Sequence, residues 1–486
     1  MGFIDAREWI AALEREGELV HCKTEVDWRG EIAEIVKRAV SKRGPAILFE
    51  NITDYKSGRC TKLFVGGCGN SKRVVMALGL PKETRRDGII QFLRKKFNES
   101  VKPVVVDEGV VKENIIMGEE INLFDFPVPM WHPMDGGRYI NTYCGVVTKD
   151  PETGERNVGL YRGMILSRDE IGVLLVPAQH WGVHYSKYKA LMRPMPVAVV
   201  YNWDPAMEIV ASNAVAGDEY ELMGAIKGEP AKLIKCETSD LEVPASAEIV
   251  IEGTISPDPD THELEGPFGE WTGYYGETRK RPVIKVDCIT HRNDPIFRGM
   301  REGVSIDVMS EGVYTAHYGH IALLWNALEA NGIPGIVDVA LGATTIVKIR
   351  KMYEGHAKRI AAALWASQSA INLFKIVIVV EDDVDIHNLR DVERALMNNV
   401  DPERDLTVFP RVAGSSLDVS VSEDRRDELI YGAGNIGRLL IDATVNWKDH
   451  PPRKEWGNKR VPPKCTDSLP EVNALVDNRW NEYGIG

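Results

Sequence analysis

A chain of 486 residues exceeds what one hydrophobic core can organise, so two to four domains are expected. Its formal net charge of -13 argues against a nucleic-acid or anionic-membrane partner, while a local basic pocket could still hold a small anion. Seven scattered cysteines without a C-x-x-C pair indicate neither a disulfide framework nor a zinc ribbon. No stretch is long enough for a membrane span, and Met1-Gly2-Phe3-Ile4-Asp5 carries no basic leader; a soluble cytoplasmic protein is expected.

Residues 1–115 read as an α/β domain. Helical periodicity over Ala6–Glu16 stops at Gly17, a residue suited to a helix end, and a second helix is expected over Glu31–Ser41. Two short apolar runs, Pro45–Glu50 and Leu63–Gly66, read as buried strands. The second leads through Gly66-Gly67-Cys68-Gly69-Asn70 into a helix at Ser71. A turn of this kind can hold phosphate. Without a G-x-x-x-x-G-K-[ST] pattern it reads instead as a tight turn of an α/β layer.

The proline-rich Leu123–Pro129 marks a boundary. From about residue 138 to 300, strand-like segments alternate with turns: Ile140–Thr148, Val173–Val176, Val197–Tyr201, Ala231–Cys236, Ala247–Ile255 and Val283–His291. This is the pattern of a β-barrel with inserted helices, one of them over Asp218–Ile226 and closed by Gly228. Inside it, Asn157–Arg162 follows the turn Asp150-Pro151-Glu152-Thr153-Gly154 and precedes Gly163–Ser167, as the second arm of a hairpin. Asn157 and Arg162 are an odd number of residues apart and would face opposite sides of a flat strand. A bulge at Gly159, or a ligand along the strand edge, would let both serve one site.

Residues 306–325 read as a connector. A second α/β domain over 326–450 follows, with a helix over Ile321–Ala330 at its start, strands at Gly335–Ala340 and Lys375–Val380, and a helix over His356–Ser369. The tail, 451–486, is polar and proline-rich, with a helix over Leu469–Tyr483 that could pack on a partner subunit. Three features read as ordinary structure. Gly432-Ala433-Gly434-Asn435-Ile436-Gly437 matches G-x-G-x-x-G but follows a charged run, not a buried strand, and is taken as a loop. Asp382, Asp383 and Asp385 read as a solvated strand end. His180 and His184 lack the Glu of a zinc-protease motif.

Chemistry concentrates elsewhere. In Glu265-Gly266-Pro267-Phe268-Gly269-Glu270, two carboxylates flank a rigid apolar loop. Burial there would raise a carboxyl toward the range of a proton donor, and a nearby arginine would hold the other acid ionised or bind a substrate carboxylate. Together with Asn157-Val158-Gly159-Leu160-Tyr161-Arg162, Gln179-His180, Asp218-Glu219-Tyr220-Glu221, Gly355-His356-Ala357-Lys358-Arg359 and Glu381-Asp382-Asp383-Val384-Asp385, this set resembles the UbiD family of prenylated-flavin-dependent (de)carboxylases, in order and over nearly the whole chain.

The resemblance implies an N-terminal α/β domain, a central split β-barrel (116–305) that holds prenylated FMN, and a C-terminal α/β domain with a dimerisation helix. It implies Asn157, His180 and Glu219 as ligands of Mn²⁺ or Mg²⁺, a donor set that suits such ions. The metal would bridge to the cofactor phosphate. Residues Val158, Gly159, Leu160, Tyr161 and Arg162, with Gln179, would line the cofactor, Lys358 would reach its phosphate, and K⁺ would accompany the site. Arg162, Glu265 and Glu270 match the family's catalytic network. The implied reaction is decarboxylation of an aromatic or α,β-unsaturated acid, a phenolic benzoate favoured, with the flavin as covalent electron sink. A flavin prenyltransferase would supply the cofactor, and a homodimer or higher homo-oligomer is implied. Two other classes, an FMN-dependent oxidoreductase on a split barrel and a non-catalytic flavin-binding protein, lack a use for Glu265 and Glu270 beside Arg162.

Overall fold

The computed structural model describes residues 2–303, 309–367, 375–463, 465 and 468–485. They fall into two compact units, the first Met1–Gly332 with Ala363–Lys375 and Phe409–Arg438, the second Ile333–Ala362, Ile376–Val408 and Leu439–Gly486.

The first unit opens with an α/β layer. The helix Ala6–Arg15 starts where the Asp5 side chain accepts from Glu8 N, and it buries Trp9, Ile10 and Leu13. The helices Glu31–Ser41 and Ser71–Ala77 follow. A four-stranded sheet runs Leu19–Cys22, Ala46–Phe49, Lys62–Val65, Ile296–Arg298. Its last strand comes from the end of the segment assigned to the barrel, so the two layers share one chain crossing.

The central sheet is antiparallel and holds nine strands: β1 Asn114–Met117, β2 Tyr139–Asn141, β3 Gly145–Lys149, β4 Arg156–Gly159, β5 Gly163–Ser167, β6 Glu170–Val173, β7 Met195–Tyr201, β8 Ile249–Ile255 and β9 Val283–His291. The order is β2-β5-β6-β9-β8-β7-β3-β4, with β1 added on β9. The Ile140–Thr148 stretch, expected as one strand, is two, and these lie near opposite edges. Three residues, 142–144, join β2 to β3, and three more, 160–162, join β4 to β5. Each link crosses six strand spacings in the sheet order. A flat sheet would make that about 29 Å, whereas three linking residues reach roughly 15 Å at most. The sheet is therefore curled into a half-barrel whose mouth these two links close. Strand parity does not govern Asn157 and Arg162, because the strand ends at Gly159 without a bulge and Arg162 lies in the link.

Three helices are inserted, His180–Ala190, Pro205–Ala211 and Glu219–Lys227, the last capped by Asp218 and ended by Gly228 in the left-handed region. The expected connector, 306–325, is helical from residue 311: Glu311–Ala330 is one helix, capped by Ser310. The part over Ile321–Ala330 was expected; apolar side chains line several faces of the helix rather than a single stripe, which hid the periodicity of the turns before it.

Glu311 explains the Gly66–Gly69 turn. Gly66 N and Cys68 N both donate to its carboxylate, at 2.8 and 2.5 Å, so the anion that the turn holds is a side chain. Cys68, Glu208 and Glu311 bring metal-type ligand atoms within 4.8 Å of one another. Arg298 already supplies the cation, with Nε 2.9 Å from Glu208 Oε1 and Nη2 2.5 Å from Glu311 Oε1. Glu311→Ala would strand two amides and one end of a buried guanidinium, at about 1–3 kcal/mol per unpaired group. A lower apparent Tm than wild type by scanning calorimetry is the expected result; an unchanged Tm would deny the network a stabilising role.

Toward the C-terminus a five-stranded sheet has the order Ile336–Leu341, Thr345–Ile349, Ile376–Glu381, Asn435–Asp442, Leu406–Ala413. Ile346, Ile378, Val380 and Val392 form its core. The G-x-G-x-x-G match runs into a strand at Asn435, not a helix, so it lacks the fingerprint's context, and its last three residues are strand where a loop was expected. The expected helix His356–Ser369 runs His356–Ala366, with Ser369 outside the described residues. Lys358 is exposed on it. The helix Pro470–Arg479 leaves Leu469, Val472 and Leu475 exposed.

Candidate active site

Arg162, Glu265 and Glu270 meet at the closing link of the half-barrel. Arg162 Nη2 donates to Glu265 Oε2 at 2.8 Å, and Nη1 donates to Glu270 Oε1. The guanidinium is 8% exposed, and Glu265 is fully buried. Burial pulls the Arg162 pKa down, but the two carboxylates outweigh it and the net shift is upward.

The two acids differ in surroundings. Glu265 accepts from Tyr139 OH at its other oxygen, at 2.6 Å, and Arg281 Nε lies 3.1 Å from Oε2. It is thus tied at both oxygens. Glu270 is raised from its ordinary value by burial, which Arg162 only partly opposes, while the Glu265 charge adds to the rise. Two carboxyl groups on one guanidinium therefore divide into an acceptor fixed in place and an acid that keeps its proton to higher pH.

A second cluster forms at the end of β4. Asn157 Oδ1 lies 3.2 Å from His180 Nδ1. Glu219 Oε2 accepts from Val158 N at 2.9 Å, which brings the acid to the same strand. His180 and Glu219 are each the first residue of a helix, so two helix N-termini, with their partial positive charge, face this region. Burial lowers the His180 pKa, leaving a neutral imidazole able to ligate. Glu219 is pushed up to about 8 by burial, and its charged neighbours, Asp218 and Glu155, are acidic too. An amide oxygen, a neutral imidazole and a buried carboxylate fit a hard divalent ion.

Tyr161 stacks on Trp181 with ring centroids 4.3 Å apart and 6° between planes, and Asn157 Nδ2 donates to Tyr161 OH at 3.4 Å. Val158 and Gly159 are buried, Leu160 and Gln179 half-buried; Gln179 caps the His180 helix, and Leu160 N donates to Ala211 O. His184, one turn on from His180, pairs with Thr148 Oγ1 at 2.9 Å and so belongs to the barrel wall. Lys358 belongs to the second unit.

Sequence reasoning missed Tyr139, Arg281 and Glu302. The first two hold Glu265. Glu302, pushed up to about 7 by burial, accepts from Ser310 Oγ at 2.7 Å, and the Glu270 charge adds to its rise. Nothing in their local spacing separates them from ordinary strand and loop residues; only the fold places them beside the two acids.

Family models for the 3-octaprenyl-4-hydroxybenzoate carboxy-lyase match the chain in three parts: the N-terminal domain over residues 10–93, the Rift-related domain over 102–304 and the C-terminal domain over 313–443. The phenolic acid decarboxylase of Bacillus subtilis (strain 168) is 33% identical over 459 residues, covering 92% of this chain and 93% of its own. Vanillic acid decarboxylase of Sedimentibacter hydroxybenzoicus, in closed form, superposes with a TM-score of 0.87 at 29% identity, covering all of both chains. An evolved dimeric form of the UbiD-class enzyme HmfF from Pelotomaculum thermopropionicum, in complex with prFMN, gives a TM-score of 0.77 at 29% identity, covering 98% of this chain and 100% of its own.

Proposed function

Because the chain belongs to the UbiD family of prenylated-FMN-dependent decarboxylases, we propose that it removes CO₂ reversibly, without net oxidation, from an aromatic or α,β-unsaturated acid, with a phenolic benzoate as the favoured substrate. The observation that carries this reading is the buried Glu265–Arg162–Glu270 array. When bound, prenylated FMN supplies the electron sink for the bond to CO₂. The protein's part is placement and proton delivery. Arg162 receives the substrate carboxylate and tunes Glu270. Glu265, held by Tyr139, fixes the guanidinium plane. Glu270 gives its proton to the carbon that has lost CO₂ and is recharged from water.

Asn157, His180 and Glu219 would hold Mn²⁺ or Mg²⁺, which would supply positive charge for the cofactor phosphate beside the two helix N-termini. Val158, Gly159, Leu160, Tyr161 and Gln179 would line the cofactor, and K⁺ would complete the site. A flavin prenyltransferase delivers the cofactor. The division at 1–115, 116–305, 326–450 and 451–486 and a homodimer through the C-terminal helix belong to the same reading, and the exposed apolar residues of that helix support the dimer.

The test is a panel of aromatic acids given to protein co-expressed with a flavin prenyltransferase, with product followed in heavy water. Product carrying one deuterium at the carbon that bore the carboxyl group is expected. Reduction of the flavin by a nicotinamide, with no CO₂ formed from any acid, would put the oxidoreductase reading first.

A further inference from the structure

The carboxyl of Glu270 stands on a loop whose backbone is bridged on one side to residues 274–276, with Glu270 N donating to Tyr274 O at 3.0 Å and Gly276 N to Phe268 O at 2.8 Å, and a further segment braces it. The segment Trp131–Gly136 lies against it. Asp135 Oδ1 accepts from Gly269 N at 2.9 Å, and Oδ2 accepts from His132 N at 2.9 Å. The Asp135 side chain is fully buried, and His132 Nδ1 lies 3.2 Å from Oδ2. The imidazole lies directly on Gly269: a Cβ there would come within 2.4 Å of the ring. Phe268 and Tyr275 meet the ring edge to face, at 5.7 and 6.1 Å. Gly136 N donates to Pro267 O at 2.8 Å.

The other ring nitrogen reaches a different part of the chain. His132 Nε2 is 3.0 Å from Glu302 O. A carbonyl only accepts, so Nε2 carries a proton and donates. Residues 301–303 press in turn on Glu270: a Cβ at Gly303 would lie 2.6 Å from Glu270 O. Arg301 Nε donates to Trp131 O at 3.0 Å. Asp135 thus ties the loop on one side, and His132 ties the Glu302–Gly303 segment that lies against it on the other.

We propose that Asp135 and His132 are positioning residues that clamp the Gly266–Glu270 loop and so set the Glu270 carboxyl against Arg162. The clamp rests on the reading of Glu270 as proton donor. Neither residue is among the groups assigned to the metal or the flavin, so a loosened clamp affects proton delivery and not cofactor loading. A misplacement of about 1 Å at a reacting group can cost on the order of a hundredfold in rate.

The test uses full-length protein loaded with cofactor by co-expression. His132→Phe keeps the ring and its packing but removes both polar ties. Asp135→Ala removes the loop tie, and Asp135→Asn keeps an oxygen for Gly269 N. The expected result is wild-type cofactor content by mass spectrometry, a kcat lower by roughly ten- to a hundredfold in His132→Phe and Asp135→Ala, a KM within a few-fold of wild type, and partial rescue in Asp135→Asn. Wild-type kcat in His132→Phe and Asp135→Ala, with Glu270→Gln inactive, overturns the clamp and leaves the proton donor standing. Losses of activity that merely follow losses of bound cofactor also overturn it, as they would show a structural role. Near wild-type turnover by Glu270→Gln overturns the proton-donor reading, and the clamp with it.

Discussion

Replacing Glu270 with Gln is expected to leave the prenylated flavin in place and to lower decarboxylation at least about a hundredfold, the low end for general acid–base catalysis. The substitution keeps the shape of the side chain and an oxygen for Arg162 Nη1, but the amide has no proton to give. Arg162→Ala should fall to a similar degree, for a different reason: it releases Glu270 and leaves the substrate carboxylate without a partner. The direction of the pH dependence follows from the same group. Burial raises the Glu270 carboxyl above its ordinary value, so the proton-bearing form persists to higher pH and turnover is lost as pH rises through that raised value. The residual activity of Glu270→Gln should lack this alkaline fall. Glu302 stands near and is pushed up to about 7, so it could impose the same limb. Glu302→Gln separates the two: if the fall survives in that variant, it belongs to Glu270. Near wild-type turnover in Glu270→Gln with full cofactor would dismantle the array as a catalytic device.

The parts of this site that were legible in the sequence are those that local chemistry marks. Two acids around Gly-Pro-Phe-Gly announce a rigid apolar loop, and the ordered set of short motifs announced the family. Strand β9 appeared from alternation alone at the observed bounds, and the Glu219–Lys227 helix appeared within a residue at each end, because Asp218 and Gly228 punctuate it. What was not legible depends on closure of the sheet. Asn157 and Arg162 seemed to need a bulge, since parity is a rule for one continuous strand. In the fold, β4 and β5 lie near opposite edges and the residues between them bridge the mouth. The same closure brings Tyr139 from β2 to Glu265 and breaks Ile140–Thr148 in two. The second half of the helix Glu311–Ala330 was expected over Ile321–Ala330, but its first half escaped for another reason. A helix apolar on several faces has no single stripe, and its Glu311 is spent on Arg298 and two backbone amides, a partnership no spacing reveals.

Removing a metal ligand should strip the protein of its cofactor and not merely slow it. Glu219 is 2% exposed, hydrogen-bonded to Val158 N, with acidic Asp218 and Glu155 as its charged neighbours. A buried carboxylate is costly unless a cation answers it, and among the described residues none of the strongest influences on Glu219 is a cationic side chain. A divalent ion held with Asn157 and His180 would provide the cation and would carry the excess positive charge that a phosphate needs in a protein of net charge -13. His180→Ala and Glu219→Ala are therefore expected to purify with only a minor fraction of the prenylated flavin found in wild type. Glu219→Gln isolates charge from shape, and it too should lose most of the cofactor. His184→Ala is the control. It lies one turn along the same helix, pairs with Thr148, and should keep full occupancy. The measurement is flavin per chain by mass spectrometry, with bound manganese and magnesium counted on the same samples. Full flavin occupancy in both His180→Ala and Glu219→Ala would remove these residues from the cofactor site. Loss of flavin with the metal retained would keep the ion but place its role away from the phosphate.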